Sequence, residues 1–405
     1  MHIRVDMVLS GENPKTPTVQ IESPLLLALG ALVYVTVMWD VVTTTLSMHR
    51  GGPLTNALTT IVDWCISAPP AILGRNTNET PGARFFANYS NLVLTVSLFA
   101  MWFGGLVLSL TVMLSSAPTS IMGSNPGGEG EAATWIERIY FVGASITTAG
   151  FGDFVPGGTG WQLFTVMTAA SGLVVTSLGV SYVVNLVGAV LHQRQLARTI
   201  TNLGSCPRDI LAAHFDGETF APFSDMCSAL AIALLEHTEN HLAYPIIHYV
   251  RADDNRDCLP AAIALLDESV GIALFELPPE RRPAAHDLIT VRRATTAYLE
   301  SMRKIVSSEL PEEPPWPEVE WMRDLWDFTP ADGRANLNAE ECEAIARRRV
   351  LLRAAVQSQG LAWGQLHDSL AGEAEIGLDA QLLPMLVKGK ADGVERLRPQ
   401  EVAAY

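Results

Sequence analysis

Leu92 to Leu114 carries no charged side chain over 23 residues, and Trp161 to Leu191 carries none either. As a helix rising 1.5 Å per residue, the first run is about 35 Å long, enough to cross a hydrocarbon core of about 30 Å. In that solvent every backbone group must be paired internally, which restricts such runs to helices or closed barrels. Pro24 to Leu46 is a third run, uncharged from Leu25 to Trp39 and then interrupted by Asp40. An ionisable residue inside a span is a functional group by default. The other reading places Asp40 near the interface, bonded to a neighbouring helix.

Between Leu92–Leu114 and Trp161–Leu191 lies Ser145-Ile-Thr-Thr-Ala-Gly-Phe-Gly-Asp153, preceded by a helix-like run from Ala133 to Thr147. Gly150 and Gly152 lack Cβ, so alternate residues can take backbone angles closed to L-residues. Alternation of that kind can turn the carbonyls of Thr148, Ala149, Gly150 and Phe151 to one side as a ladder, with the Thr148 hydroxyl adding an oxygen. Several chains around one axis would make stacked oxygen rings able to replace a cation's water shell. The preceding helix would aim its partly negative C-terminus at the same path. Such irregular backbone is tolerated at membrane depth only where it lines protein or water.

Thr148-Ala149-Gly150-Phe151-Gly152-Asp153 resembles the selectivity-filter signature of potassium channels. From about Asn88 to Arg198 the chain is similar to bacterial members of the two-transmembrane, pore-loop ion channel family, with an added N-terminal span. The resemblance implies a filter of Thr148, Ala149, Gly150, Phe151 and Gly152, which would bind permeant K+. Thr147, Asp153, Tyr140 and Phe141 would support it, and Gly172, twenty residues after Gly152, would be the gating hinge. The other reading of Gly172 is close packing among the small residues Ala169, Ala170 and Ser171. One filter per chain implies a homotetramer. The family usually has Val or Ile where this chain has Ala149, and Tyr where it has Phe151. Phe141 facing Phe151 would replace a tyrosine hydrogen bond with ring packing. Ala144 stands where some members carry a carboxylate, which leaves Asp153 without that partner.

The rest of the chain bounds its topology. Ser115 to Glu131 holds no Lys or Arg, whereas Arg50, Arg75 and Arg84 precede the outer helix and Arg194 and Arg198 follow the inner one. The positive-inside rule then puts the glycine-rich loop outside and the C-terminal part in the cytoplasm of a multi-pass cell-membrane protein. Residues 1–23 read as a flexible N-terminus without signal-peptide features. Residues 24–87 hold the first span and Leu54 to Leu73, which reads as an interfacial helix. Three spans place the N-terminus outside; a crossing at 54–73 would move it inside. Glu129, Glu131 and Glu137 would either draw cations to the entrance, offset in part by Arg138, or simply keep a surface loop soluble. Thr168, Thr176 and Asn185 are candidates for an inner cavity. Gly104-Gly105 would let another helix approach closely.

After the pore region at 88–194 the chain is acidic, with 21 basic and 33 acidic residues from His192 onward in a chain of net charge −16, which argues against a nucleic-acid partner. Apolar spacing predicts helices over Phe220–His237, Leu259–Leu277, Arg282–Ser307 and Asn336–Gln359. Pro311 to Pro317 reads as a stiff linker between helical parts at 195–310 and 318–405. No glycine-rich nucleotide loop follows a strand. The five cysteines form no paired spacing. His237 and His241, four apart with Glu236, Glu239 and His248 nearby, are either a metal pair or a helix end with satisfied histidines. The whole reads as an all-α membrane protein, a pore-loop cation channel domain plus a mostly helical cytoplasmic domain. It carries no catalytic constellation, no cofactor and no metal apart from permeant K+, and it is not an enzyme. The partners expected are the bilayer, K+, three further copies and an unidentified cytoplasmic ligand. A weakly selective monovalent cation channel and a membrane-anchored receptor remain as alternatives.

Overall fold

A computed structural model describes residues 21–46, 51–61, 81–124, 130–244, 247, 254–302, 310–326, 329–331, 333, 337–368 and 370, with the side chains of 81–92 left aside. Expectations placed on residues 1–20, 62–73 and 371–405, and on Arg50, Cys65, Arg75, Glu129 and His248, lie outside the described residues. The chain forms two compact units, one of residues 1–188 and 242–250, the other of 189–241 and 251–405.

Three helices among the described residues are long and apolar enough to cross a membrane: α1 (Pro24–Leu46) and the Val93–Leu114 part of α3 (Pro81–Leu114) in the first unit, and α5 (Thr159–Thr201), whose residues from 189 onward belong to the second. A further helix, α2, described over 53–61, follows α1. Gly30 lies against Ser109 and Met113, and Val37 against Gly105, so α1 and α3 run antiparallel. The amides of Glu22 and Ser23 donate to Ser116 O, at 3.0 Å each, and close the same end.

Asp40 joins three elements. It is fully buried. Its Oδ1 accepts the amides of Leu54 (2.7 Å) and Thr55 (3.1 Å), and its Oδ2 accepts Thr55 Oγ1 (2.7 Å) and Trp102 Nε1 (2.9 Å). The carboxylate thus satisfies first-turn amides of α2 at the positive end of that helix and ties it to α3. Four donors compensate a charge that would otherwise be costly to bury. Of the two readings of Asp40, bonding to neighbouring helices is the one observed.

Strand β1 (Ile121–Gly123) pairs antiparallel with β2 (Phe154–Pro156), Ile121 opposite Pro156 and Gly123 opposite Phe154. The sequence reading held no strand. The ribbon brackets α4 (Trp135–Ile146) and the residues after it, so both ends of this loop are fixed to each other.

The second unit is built around α8 (Leu259–Phe275), in which every residue from Leu259 to Ala273 is buried. Around it pack α6 (Pro207–Ala213), α7 (Ala221–Ala243), α9 (Ala285–Met302), α11 (Ala339–Ser358) and α12 (Gln365–Asp368). A further short helix, α10 (Trp321–Trp326), contributes buried Met322. Helices α7, α8, α9 and α11 answer to the four expected from apolar spacing. Leu352, Ala355, Val356 and Leu366 share one core with α8 and α9, so residues on both sides of Pro311–Pro317 belong to the same packing.

Two carboxylates in the middle of α8 would be stranded in that core. Each has arginines instead. Arg348 grips Asp267 through Nε (3.0 and 2.9 Å) and Nη2 (2.6 Å), with Arg292 at 3.6 Å. Arg349 pairs with Glu268 through Nε (2.7 Å) and Nη2 (3.0 Å) and donates to Pro314 O and Pro315 O. Its guanidinium lies 4.6 Å from the Trp316 ring centroid, and Trp316 Nε1 donates to Glu276 at 3.0 Å. The proline-rich segment is therefore fastened by Arg349, while Glu312 and Glu313 stay exposed.

Candidate functional site

The site begins with the helix that precedes the glycine-rich stretch. Thr134 caps α4 in a capping box: its Oγ1 accepts the Glu137 amide, and Glu137 Oε2 accepts the Thr134 amide at 2.7 Å. Glu137 is thus a helix cap. Arg138 does not offset charge at an entrance. It is buried, donating to Ala133 O (3.1 Å), Leu114 O (3.1 Å) and Pro118 O (3.0 Å). Leu114 O is an orphan carbonyl at the end of α3, so Arg138 fastens α4 to that helix end. The two charges were legible in the sequence; the carbonyls that Arg138 meets were not, because they lie up to 24 residues upstream.

At its other end α4 turns sharply. Gly143 O accepts the Thr147 amide (3.1 Å) and hydroxyl (2.7 Å), Ser145 O accepts the Thr148 amide (3.1 Å), and Ala144 O accepts the amides of Ala149 (2.8 Å) and Gly150 (3.4 Å). The amides are thereby turned back toward the helix. Thr148, Gly150 and Gly152 have φ of +58°, +55° and +83°. Among the described residues Thr148 is the only non-glycine at positive φ. Every second residue is therefore left-handed from Thr148 to Gly152, the alternation that turns successive carbonyls to one side. Among the described residues the carbonyls of Thr148, Ala149, Gly150 and Phe151 accept no backbone hydrogen bond. Residues Thr147 to Asp153 are exposed in the single chain.

The far end of the stretch is braced from α4. Tyr140 Oη donates to Asp153 Oδ2 at 2.8 Å. The Tyr140 ring stacks on Phe151, centroids 5.8 Å apart and planes 16° from parallel, and meets Phe154 edge-on at 6.1 Å. The expected partner, Phe141, instead lies on the buried face of α4, as do Arg138, Val142 and Ile146. Successive residues on a helix point about 100° apart, so only one of two adjacent rings can reach Phe151. Asp153 has a partner after all, the Tyr140 hydroxyl. Its own carbonyl accepts the Ser124 amide at 2.8 Å, which ties it to the residue after β1.

Helix α5 backs this arrangement and runs unbroken through Gly172. A Cβ at Gly172 would run into the backbone of Ile146, the last residue of α4. In this conformation Gly172 is a close-contact position. Tyr34 Oη and Ser171 Oγ, 2.7 Å apart, join α1 to α5 beside it. Thr168 is buried and so does not line a cavity from this chain; Thr176 and Asn185 are exposed. Of the paired glycines, Gly105 meets Val37 of α1, while a Cβ at Gly104 would meet open space.

Among the described residues no group of three or more His, Cys, Asp or Glu is arranged to hold a metal ion. His237 and His241 lie on α7, but His237 Nδ1 has no hydrogen-bond partner among the described residues. The expectation of satisfied histidines fails there.

Against known proteins, residues 93–189 match the family model described as "Ion channel". The match begins in α3, contains α4 and the alternating stretch, and ends within α5. Over 335 residues the chain is 27% identical to "Uncharacterized membrane protein YdjJ" of Bacillus subtilis (strain 168), covering 82% of this chain and 94% of that protein. That span is too long for the channel segment alone, so the similarity takes in helical parts outside 93–189. No solved structure matches. The chain is a mostly helical membrane protein whose residues 93–189 are similar to the ion-channel family.

Proposed function

We propose that this chain is a potassium-selective channel subunit that assembles as a homotetramer and passes K+ passively down its gradient. The observation that carries the reading is the alternation of handedness at Thr148, Gly150 and Gly152 directly after α4, with the intervening carbonyls free of backbone hydrogen bonds among the described residues. A strip of unpaired carbonyls on an exposed surface is unfavourable for one chain alone. Four strips facing one axis would coordinate dehydrated cations and so compensate it. Thr148 to Gly152 form the filter in this reading. Thr147, Asp153 and Tyr140 hold it, and Phe141 contributes through the core behind α4. The loop faces outside and the second unit lies in the cytoplasm, in line with the positive-inside bias of the flanks. Gly172 would serve as the hinge only by leaving its contact with Ile146.

The test is Gly150→Ala. At φ +55° an alanine costs roughly 1–2 kcal/mol in each subunit. The variant should insert and assemble like wild type yet carry no K+ flux in proteoliposomes. Wild-type flux from this variant would sink the filter assignment. A weakly selective cation channel is the second reading, favoured by Ala149 and Phe151, which leave less bulk and one hydroxyl fewer behind the carbonyls than the family's usual residues.

A further inference from the structure

Three imidazoles meet beyond the uncharged part of α5. His192 of α5 stacks on His237 of α7, with ring centroids 6.5 Å apart and planes 22° from parallel. His241, one turn along α7, lies 6.3 Å from His237. Tyr298 of α9 closes the other side, 5.9 Å from His237 and 6.4 Å from His241, and Ser301 Oγ lies 3.2 Å from His241 Nδ1. His237 is 2% exposed. The Nδ1 atoms of His192 and His237 have no hydrogen-bond partner among the described residues.

The surroundings of His237 favour its neutral ring. Glu236 of α7 reaches His192, 3.5 Å from its Nε2, but no carboxylate among the described residues contacts His237. Arg194 and Arg198, on the same stretch of α5 as His192, are both taken up by Asp257. From α9 comes Tyr298, and from the residue capping α8 comes Cys258; burial pushes both above their ordinary ranges, so both stay neutral. Burial first, then the neighbouring His241 and His192, pull the His237 pKa down to about 3.

We propose that this cluster is a proton-operated latch: with His237 neutral, the packed imidazoles hold the end of the inner helix α5 against α7, and protonation of His237 in mild acid releases it. The sign follows from linkage. A histidine whose pKa is lowered by packing binds its proton more readily when unpacked, with an ordinary pKa of about 6.5. The packed arrangement is therefore fully favoured above about pH 6.5 and loses about tenfold in its equilibrium per pH unit below that. From pH 7.5 to 5.0 the shift is about 30-fold. Release of α5 would alter ion flux, a consequence that rests on the channel reading; the latch itself does not.

The experiment is hydrogen exchange of the full-length protein in lipid nanodiscs at pH 7.5 and 5.0, corrected for intrinsic rates, with K+ flux measured on the same preparations at pH 7.5. In wild type, residues 189–201 and the His237 turn of α7 should lose about 30-fold in protection at pH 5.0. The buried helix α8, as internal control, should lose none. His237→Phe and His237→Gln should keep their protection at pH 5.0. Equal protection of wild type at both pH values, or acid loss retained in both variants, would overturn the latch. Should the buried variants fail to fold, His192→Gln, at a partly exposed position, should lose less protection than wild type, and an identical loss would contradict the proposal. Acid-dependent exchange in a chain without flux would leave the latch standing and remove the channel reading.

Discussion

Tyr140 and Phe141 are neighbours in sequence with different tasks. Tyr140 holds Asp153 by its hydroxyl and Phe151 by its ring. Phe141 fills the core behind α4. Tyr140→Phe keeps the stack and loses the hydrogen bond, so reversal potentials in mixed K+ and Na+ should show a several-fold lower preference for K+ at unchanged expression. Phe141→Leu should leave that preference alone and lower thermal stability in detergent, by about 1–1.5 kcal/mol. A swapped pattern would restore the sequence expectation that Phe141 faces the filter. The motif itself was legible because glycines at alternate positions are rare and their consequence is local. Which ring braces the stretch was not, because it depends on the phase of α4. Arg138 was illegible for a related reason: a charged residue next to Glu137 looks like surface until the Leu114 and Pro118 carbonyls around it are placed.

At the scale of elements, long uncharged runs announced α1, α3 and α5, since the bilayer leaves few other solutions. The β1–β2 ribbon left no trace, being three residues on each side and held by its closure around α4. The glycines of α5 divide by what they touch. Gly172 abuts the end of α4, whereas a Cβ at Gly188 meets nothing within 4 Å. Gly172→Ala should therefore push α4 aside and abolish flux, while Gly188→Ala should leave both flux and melting temperature within error. If Gly172→Ala conducts like wild type, α4 is not seated on α5 as described. A flux changed only in its opening probability would instead favour the hinge role of Gly172.

At the scale of the whole molecule, the second unit depends on charges inside its core. Arg349→Met would leave Glu268 buried without its arginine and should cost roughly 3–5 kcal/mol. Adding Glu268→Gln should recover much of that, as a double-mutant cycle on thermal unfolding of the full-length protein would show; no recovery would mean that Arg349 acts mainly through Trp316 and the Pro314 and Pro315 carbonyls. Burial opposes the charge on Asp267, but Arg292 and Arg348 outweigh it and hold its carboxyl below the ordinary range. The stability it contributes is present above about pH 3.9 and lost as pH falls further, outside the window in which the histidines act. The sequence spacing found four helices of this unit but read Pro311 to Pro317 as a stiff linker, because nothing local announces an arginine 33 residues beyond Trp316. The proposed channel function rests on one comparison: the rates of K+ and Na+ flux through the wild-type protein in liposomes, with and without barium. The account predicts K+ flux that barium blocks and little Na+ flux. Equal flux of the two ions would contradict potassium selection and leave the weakly selective channel in its place.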